Sequence, residues 1–407
     1  MESVKNMLRG NVRQYGMIIA LAAIVILFQI TTDGVLLRPL NLTNLITQNS
    51  YILILAIGMV MVIIARHIDL SVGSVAAFIG ALASILMSTY DVPWLLAVVI
   101  CLVAGAAIGA WHGFWVAYVG IPAFIVTLSS MLLFRGLTLV VLEGRTVSVP
   151  EGFQKMGNGF LPDVGPDTGL SNLTIVLGLL LSAFLVWIEL RNRASAKKYN
   201  VVVSPLAVFL IKLAAIVAVI MTFSYLLAQY RGLPIVGVIL FVLIGIYGFI
   251  MRRTVFGRHI YAVGGNVEAA TMSGVKTKKI DFLVMTNMGV LAALAGMVFA
   301  ARLTAANPKA GVNFELDAIA AAFIGGAAVT GGVGTVIGAI IGGLVMGVLN
   351  NGMSLESIGV DWQQAIKGLV LLLAVAFDVW NKKRSRTGGG QPAAAPAGSA
   401  PDVNPTT

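Results

Sequence analysis

Charge is what this chain has least of. Of its 407 residues only 11% are Asp, Glu, Lys or Arg, while 58% are hydrophobic. A soluble domain carries roughly 25% charged residues, so the shortage excludes a water-soluble globule and points to an all-α polytopic membrane protein. One cysteine, Cys101, excludes an intramolecular disulfide, and its mid-span position reads as core filler. The three histidines, His67, His112 and His259, stand far apart without metal-ligand spacing, so no metal site is expected. No Gly-x-Ser-x-Gly or His-Glu-x-x-His motif occurs, which argues against a membrane-embedded enzyme. Gly274-Val275-Lys276-Thr277 has no glycine directly before its lysine, and Gly332-Val333-Gly334 follows no strand. This chain is therefore expected to hold no nucleotide or other cofactor of its own.

The charge that is present falls in short clusters between apolar runs. A net charge of +10 would suggest nucleic acid if it were spread over a soluble surface. Clustered beside spans it reads as topology, because Lys and Arg stay on the cytoplasmic side. Runs of roughly 17–25 apolar residues span a bilayer. About twelve are found: 16–37, 45–64, 70–88, 94–119, 123–142, 173–190, 206–228, 235–251, 282–301, 318–329, 333–349 and 365–380. The tenth is too short to cross and is expected to be a half-helix or re-entrant. Lys5, Arg9 and Arg13 precede the first run, and no small-residue cleavage site follows it, so it reads as an uncleaved span.

With the N-terminus inside, Arg66/His67, Arg191 to Lys198, Arg252 to Lys279 and Lys382 to Arg386 all fall in the cytoplasm. The acids Asp91, Asp163/Asp167, Glu315/Asp317 and Glu356/Asp361 fall outside, and both termini are expected to be cytoplasmic. Residues 381–407, rich in Gly, Pro and Ala, read as a disordered tail. The polar stretch 143–172 reads as an outer loop.

An internal repeat runs through the spans. Gly58-Met59-Val60 and Gly296-Met297-Val298 each begin a segment that ends in arginine (Arg66, Arg302). An acid follows, Asp69 or Asp317, then Phe-Ile-Gly at 78–80 and 323–325. Glycines spaced by four come next, Gly105, Gly109 and Gly113 in one half and Gly334, Gly338 and Gly342 in the other. Asp69 is expected at the cytoplasmic end of its span and Asp317 outside, so the copies run in opposite directions, an inverted repeat. Repeat one covers about 16–142 and repeat two about 235–380. The spans within 173–228 are an inserted pair, and 1–380 forms one transmembrane domain.

The longest polar run between apolar blocks, apart from that outer loop and the tail, is the loop 252–281. It holds Arg252, Arg253, Arg258, Lys276, Lys278 and Lys279 against only Glu268 and Asp281. Residues 267–273 form good helix between glycines, presented to the cytosol as a docking element. This run, Gly257-Arg258-His259 through Ile280, resembles the coupling loop of bacterial ABC monosaccharide importer permeases of the ribose/xylose/arabinose/galactose class. Residues 65–74, 301–326 and 347–352 resemble the same family. The inserted pair resembles the longer, xylose or multiple-sugar type. The resemblance implies an ABC importer permease fold, working as a homodimer in the lipid of the bacterial inner membrane. It implies cytoplasmic ATPases, carrying ATP and Mg, docked at Gly264, Gly265, Asn266, Glu268, Ala269, Ala270 and Gly274. A periplasmic sugar-binding protein would dock on the outer loops.

Other residues are candidates for a pathway or gate. Asp69, with Ser71 and Ser74, reads either as the N-cap of the third span or as a gate, and Asp317 has the same two readings. Asn307, Asn350 and Asn351 offer amides that suit a neutral sugar, or else they face the binding protein. Alternatively, Asn351-Gly352 is a helix C-cap. The four-spaced glycines read as close helix packing, with a dimer seam or gate as the second reading. Two rivals stay open: an ABC permease for another solute, such as branched-chain amino acids, and a secondary transporter. The first needs matched pathway charges, whereas Lys212, Glu189 and Lys367 lie near span ends and are expected to snorkel. A proton-coupled form of the second wants mid-membrane carboxylates, which are not expected here.

Overall fold

A computed structural model describes residues 12–166, 168–199, 203 and 205–387. Lys5, Arg9, Asp167 and the expected tail from 388 onward lie outside the described residues. The described chain is built from helices: α1 (Val12–Thr31), α2 (Pro39–Ile64), α3 (Val72–Ser88), α4 (Trp94–Phe114, extended by a π-turn Trp115–Val119) and α5 (Ala123–Leu142). Then follow α6 (Glu151–Asn158), α7 (Asn172–Lys198), α8 (Leu206–Ala228), α9 (Ile235–Arg253), α10 (Val255–Gly265) and α11 (Val267–Met272). The last four are α12 (Thr277–Leu303), α13 (Phe314–Ile324), α14 (Val336–Leu355) and α15 (Val360–Thr387). Two-residue strands, β1 (Val147–Ser148) and β2 (Ala305–Ala306), pair antiparallel.

Proline sets many of the starts. Pro39, Pro93, Pro122, Pro150, Pro205 and Pro234 stand at or immediately before the first residue of a helix, where a missing N–H costs nothing. Among the described residues eight helices are long and apolar enough to cross a membrane: α2, α4 with its π-turn, α5, α7, α8, α9, α12 and α14. The chain is an all-α polytopic membrane protein.

Several expected boundaries move. The loop 143–172 contains β1 and α6, which covers the end of α12 through Asn158 Nδ2 donating to Arg302 O at 2.7 Å. Helix α7 continues through the basic run to Lys198, and α15 continues to Thr387. The loop 252–281 is mostly helical, and α12 already begins at Thr277.

The core is the pair α2 and α12. From Ile52 to Ile64 the large side chains of α2 are almost wholly buried, as is most of α12. Around this pair the contacts come in matched sets. α12 packs on α3 and α4, and α2 packs on α13 and α14. α3 packs on α4 and α5, and α13 packs on α14 and α15. α7 and α8 pack mainly on each other.

Glycine makes these contacts close. A Cβ on Gly105, Gly109 or Gly113 of α4 would lie 2.4, 2.6 or 2.8 Å from an atom of α12. A Cβ on Gly338 or Gly342 of α14 would lie 2.1 Å from the carbonyl oxygen of Gly325, just past α13, or 2.0 Å from that of Ala321 within it. Gly334 belongs to the loop before α14, against the Ile64 side chain.

Candidate coupling and translocation sites

One end of the bundle carries α10 and α11. Thr254 caps α10 by accepting from Gly257 N at 3.2 Å, and Asn266 caps α11 by accepting from Ala269 N at 3.0 Å. Gly274, at φ +82°, takes the left-handed turn that releases the chain into α12. Ala270 of α11 is buried while Val267, Glu268 and Ala269 face outward, and Met272 is 90% exposed.

The inner side of this unit is bolted to two places. One is the end of α2: Gly264 lies so close to the Ile64 carbonyl that a Cβ would sit 1.7 Å from its oxygen. The other is the loop between α13 and α14. Gly332 N donates to Ile64 O at 2.9 Å, and Arg66 donates to Thr330 O at 3.0 Å and to Gly265 O at 3.2 Å. Tyr261 Oη donates to Gly334 O at 2.8 Å, and burial pushes that hydroxyl's pKa upward, so it remains a donor at neutral pH. His67 Nε2 stands 3.1 Å from Asp281 Oδ1, tying the end of α2 to the start of α12. These contacts join α10, which leads into α11, to the end of α2 and the α13–α14 loop, and His67 joins the end of α2 to the start of α12.

The second site lies inside the bundle, where the two short helices begin. At 1.5 Å per residue, the 17 residues of α3 make about 25 Å and the 11 residues of α13 about 16 Å. Both fall short of the roughly 30 Å hydrocarbon core. Their starts meet: a Cβ on Gly73 would lie 2.2 Å from Gly311 O and 2.5 Å from Glu315 Oε2. From there α3 runs to Ser88 beside β1, whose Ser148 carbonyl accepts from Ser88 Oγ. α13 runs the other way, to Gly325 and the loop at α10.

Asp69 and Asp317 are both buried beside this junction, each close enough to act on Glu315. Asp69 is buried and is not an N-cap. Its Oδ1 accepts from Ser71 N at 2.8 Å and Ser71 Oγ at 2.6 Å, and α3 is entered at Ser71. Asp317 is 4% exposed in the first turn of α13, which starts at Phe314 and not at 318. It pairs with Lys367 Nζ of α15 at 3.1 Å and accepts from Tyr51 Oη, halfway along α2, at 3.4 Å. Lys367 is thus spent on an ion pair, and the half-exposed Lys212 pairs with Glu189 at 2.8 Å. Carboxylates expected to be missing from the interior are present as Asp69, Glu315 and Asp317.

The amides separate. Asn351 is neither at the end of its helix nor a C-cap, since α14 runs on to Leu355. It makes a reciprocal pair with Asn41 of α2, at 2.8 and 3.0 Å, that spends both side chains. Asn307 is exposed and accepts from Lys309 N at 2.8 Å in a local turn. Asn350 keeps a buried Oδ1 without a partner among the described residues. Ser74, 1% exposed, has an equally unpartnered Oγ. Sequence reasoning missed Arg135, hidden in the apolar run of α5; its position past the middle of a 20-residue span was the available signal.

Residues 41–375 match the family model described as branched-chain amino acid transport system / permease component. The xylose transport system permease protein of Haemophilus influenzae is 41% identical over 92% of this chain and 98% of its own length. Its Escherichia coli K12 counterpart is 41% identical over 92% and 94%. The ribose import permease protein of Escherichia coli K12 is 35% identical over 84% and 86%. No solved structure matches.

Proposed function

The chain belongs to this family of ABC transport permease components, as an ABC sugar permease of xylose type, and from that premise we propose how it works. It is the membrane-spanning subunit of an ATP-driven monosaccharide importer, a multi-pass inner-membrane protein and not an enzyme. ATP is hydrolysed on a separate ATPase subunit, and a periplasmic binding protein delivers the sugar. Xylose is the substrate this reading favours, because the xylose permeases match over nearly their whole lengths. The family description mentions branched-chain amino acids, yet the full-length relatives at 35–41% identity carry sugars.

The observation that carries the mechanism is the bracing of α10–α11. In this reading the ATPase seats on the outward face of α11, at Glu268, Ala269, Val267 and Met272, with Ala270 and Gly264 holding the inner side. Closure of the ATPases pushes α11, and the Arg66, Gly332 and Tyr261 contacts carry the push to α13. That motion parts or closes the junction at Gly73 and Gly311. Two copies of the chain surround the pathway in lipid, with both termini in the cytoplasm. ATP and Mg stay on the partner. About twelve helical passes are proposed, two of them (α3 and α13) partial. The inverted repeat, α1–α5 against α9 and α12–α15, is supported by the matched contact sets and by the opposite directions of α3 and α13.

Co-reconstitution with the ATPase and binding protein tests the reading: ATP-dependent xylose uptake is expected, and its absence with every monosaccharide tried rejects it. Glu268→Arg and Gly274→Trp are expected to abolish uptake while leaving membrane insertion intact, read by uptake at matched protein levels. Tyr261→Phe removes one hydrogen bond worth about 1 kcal/mol. It is expected to lower the sugar moved per ATP several-fold with the complex still assembled.

A further inference from the structure

We propose that Arg135, Glu315 and Ser74 form a transient binding station for the hydroxyls of the monosaccharide inside this subunit, walled by Tyr51, Phe299 and Phe314. The inference rests on the reading of the chain as a sugar permease, and it names the part of the junction that touches the cargo.

The first observation is unspent hydrogen bonding. Glu315 is 6% exposed, yet its Oε2 has no partner among the described residues, and Ser74 Oγ beside Gly73 is in the same position. Buried polar groups are normally paired, and each of these is expensive to leave so. Arg135, within the apolar α5, interacts electrostatically with Glu315 but makes no ion pair within 4 Å among the described residues. A guanidinium inside a span is costly and faces a partner or a pathway.

The second observation is a twin that is spent. Arg135-Gly136-Leu137, with Leu139 two residues on, matches Lys367-Gly368-Leu369 with Leu371. Each triplet lies on the helix that packs against a short helix, α5 on α3 and α15 on α13. In the second copy the cation is neutralised by Asp317 at 3.1 Å. In the first the cation makes no ion pair within 4 Å among the described residues, while Glu315, on which its charge acts, keeps an unpartnered oxygen. A guanidinium, a carboxylate and a hydroxyl together donate to and accept from vicinal sugar hydroxyls without needing a charged ligand.

The wall fits the same cargo. Tyr51 stacks on Phe314 at 3.9 Å between ring centres, and Phe299 meets Phe314 edge-on at 4.9 Å. Beside them, bounded by Gly80, Gly296 and Gly311, is a cavity of about 10 Å³, the room of one water molecule. The junction is thus closed here, and its two sides meet where Gly73 faces Gly311 backbone and the Glu315 and Phe314 side chains. Parting α3 from the start of α13 exposes the three polar groups and the aromatic wall to one space.

The test is uptake of xylose and of deoxy analogues, each lacking one hydroxyl, by the full complex in vesicles. The binding protein is the same in every assay, so its preference cancels in the variant-to-wild-type ratio. Glu315→Gln and Ser74→Ala are each expected to slow xylose about ten- to hundredfold. The loss is expected to shrink for the analogue that lacks the contacted hydroxyl, and Arg135→Lys is expected to retain partial uptake. Wild-type rates in both Glu315→Gln and Ser74→Ala, or an equal slowing of every analogue, would overturn the station. Should Glu315→Gln fail to assemble, Ser74→Ala decides alone. Failure of the wild-type complex to move any sugar would instead reject the transporter reading beneath it.

Discussion

Gly264→Ala is expected to abolish coupled uptake. The added methyl would sit 1.7 Å from the Ile64 carbonyl oxygen and 2.6 Å from Gly332 N. Both neighbours are backbone, so no side chain can swing aside, and the hydrogen bond between them at 2.9 Å must stretch. Overpacking of this kind costs about 1–3 kcal/mol or more, applied where α10 meets α2 and the α13–α14 loop. ATP hydrolysis by the assembled complex is expected to continue while xylose transport stops. Gly245→Ala, on α9, is the control: nothing lies within 4 Å of its added methyl, and near-normal uptake is expected. Equal behaviour of the two variants would show that the bracing at Gly264 carries no force.

Lys367→Met is expected to destabilise the permease by about 3–5 kcal/mol, the loss usual when a buried ion pair loses one partner. Asp317 is 4% exposed, and without Lys367 its remaining hydrogen bond is from Tyr51, 3.4 Å away. The double variant Lys367→Met with Asp317→Leu is expected to recover most of that loss, since a well-packed apolar pair replaces a buried ionic one at little cost. Thermal unfolding of the purified subunit in detergent reads both. A single variant as stable as the wild type would mean that Asp317 finds water or another cation.

Much of the fold was legible because apolar runs and their punctuation decide where helices lie. The span at 123–142 and the span at 206–228 coincide with α5 and α8, each following a proline. The short helix α11 was legible for the same reason, since Asn266 and Gly274 bracket it with a cap and a left-handed turn. Depth was not legible. Residues 314–317 carry two acids and read as outer loop, but α13 begins there and draws both into the interior. Asn351 read as a helix end because Asn-Gly commonly is one; Asn41, 310 residues away, satisfies it instead. Gly264 and Gly265 look alike in sequence, and only their neighbours separate them. Arg135 was hidden by its surroundings, and its likeness to Lys367 emerged only once Lys367 was found paired.

The central claim is that α11 receives force from the ATPase. It is tested most directly by placing a cysteine at Glu268 in a Cys101→Ser background and cross-linking within the active complex. A cross-link to the ATPase subunit whose yield changes between nucleotide-free and vanadate-trapped complex is the predicted result. Labelling of that cysteine from the periplasmic side of intact cells, with transport preserved, would contradict it.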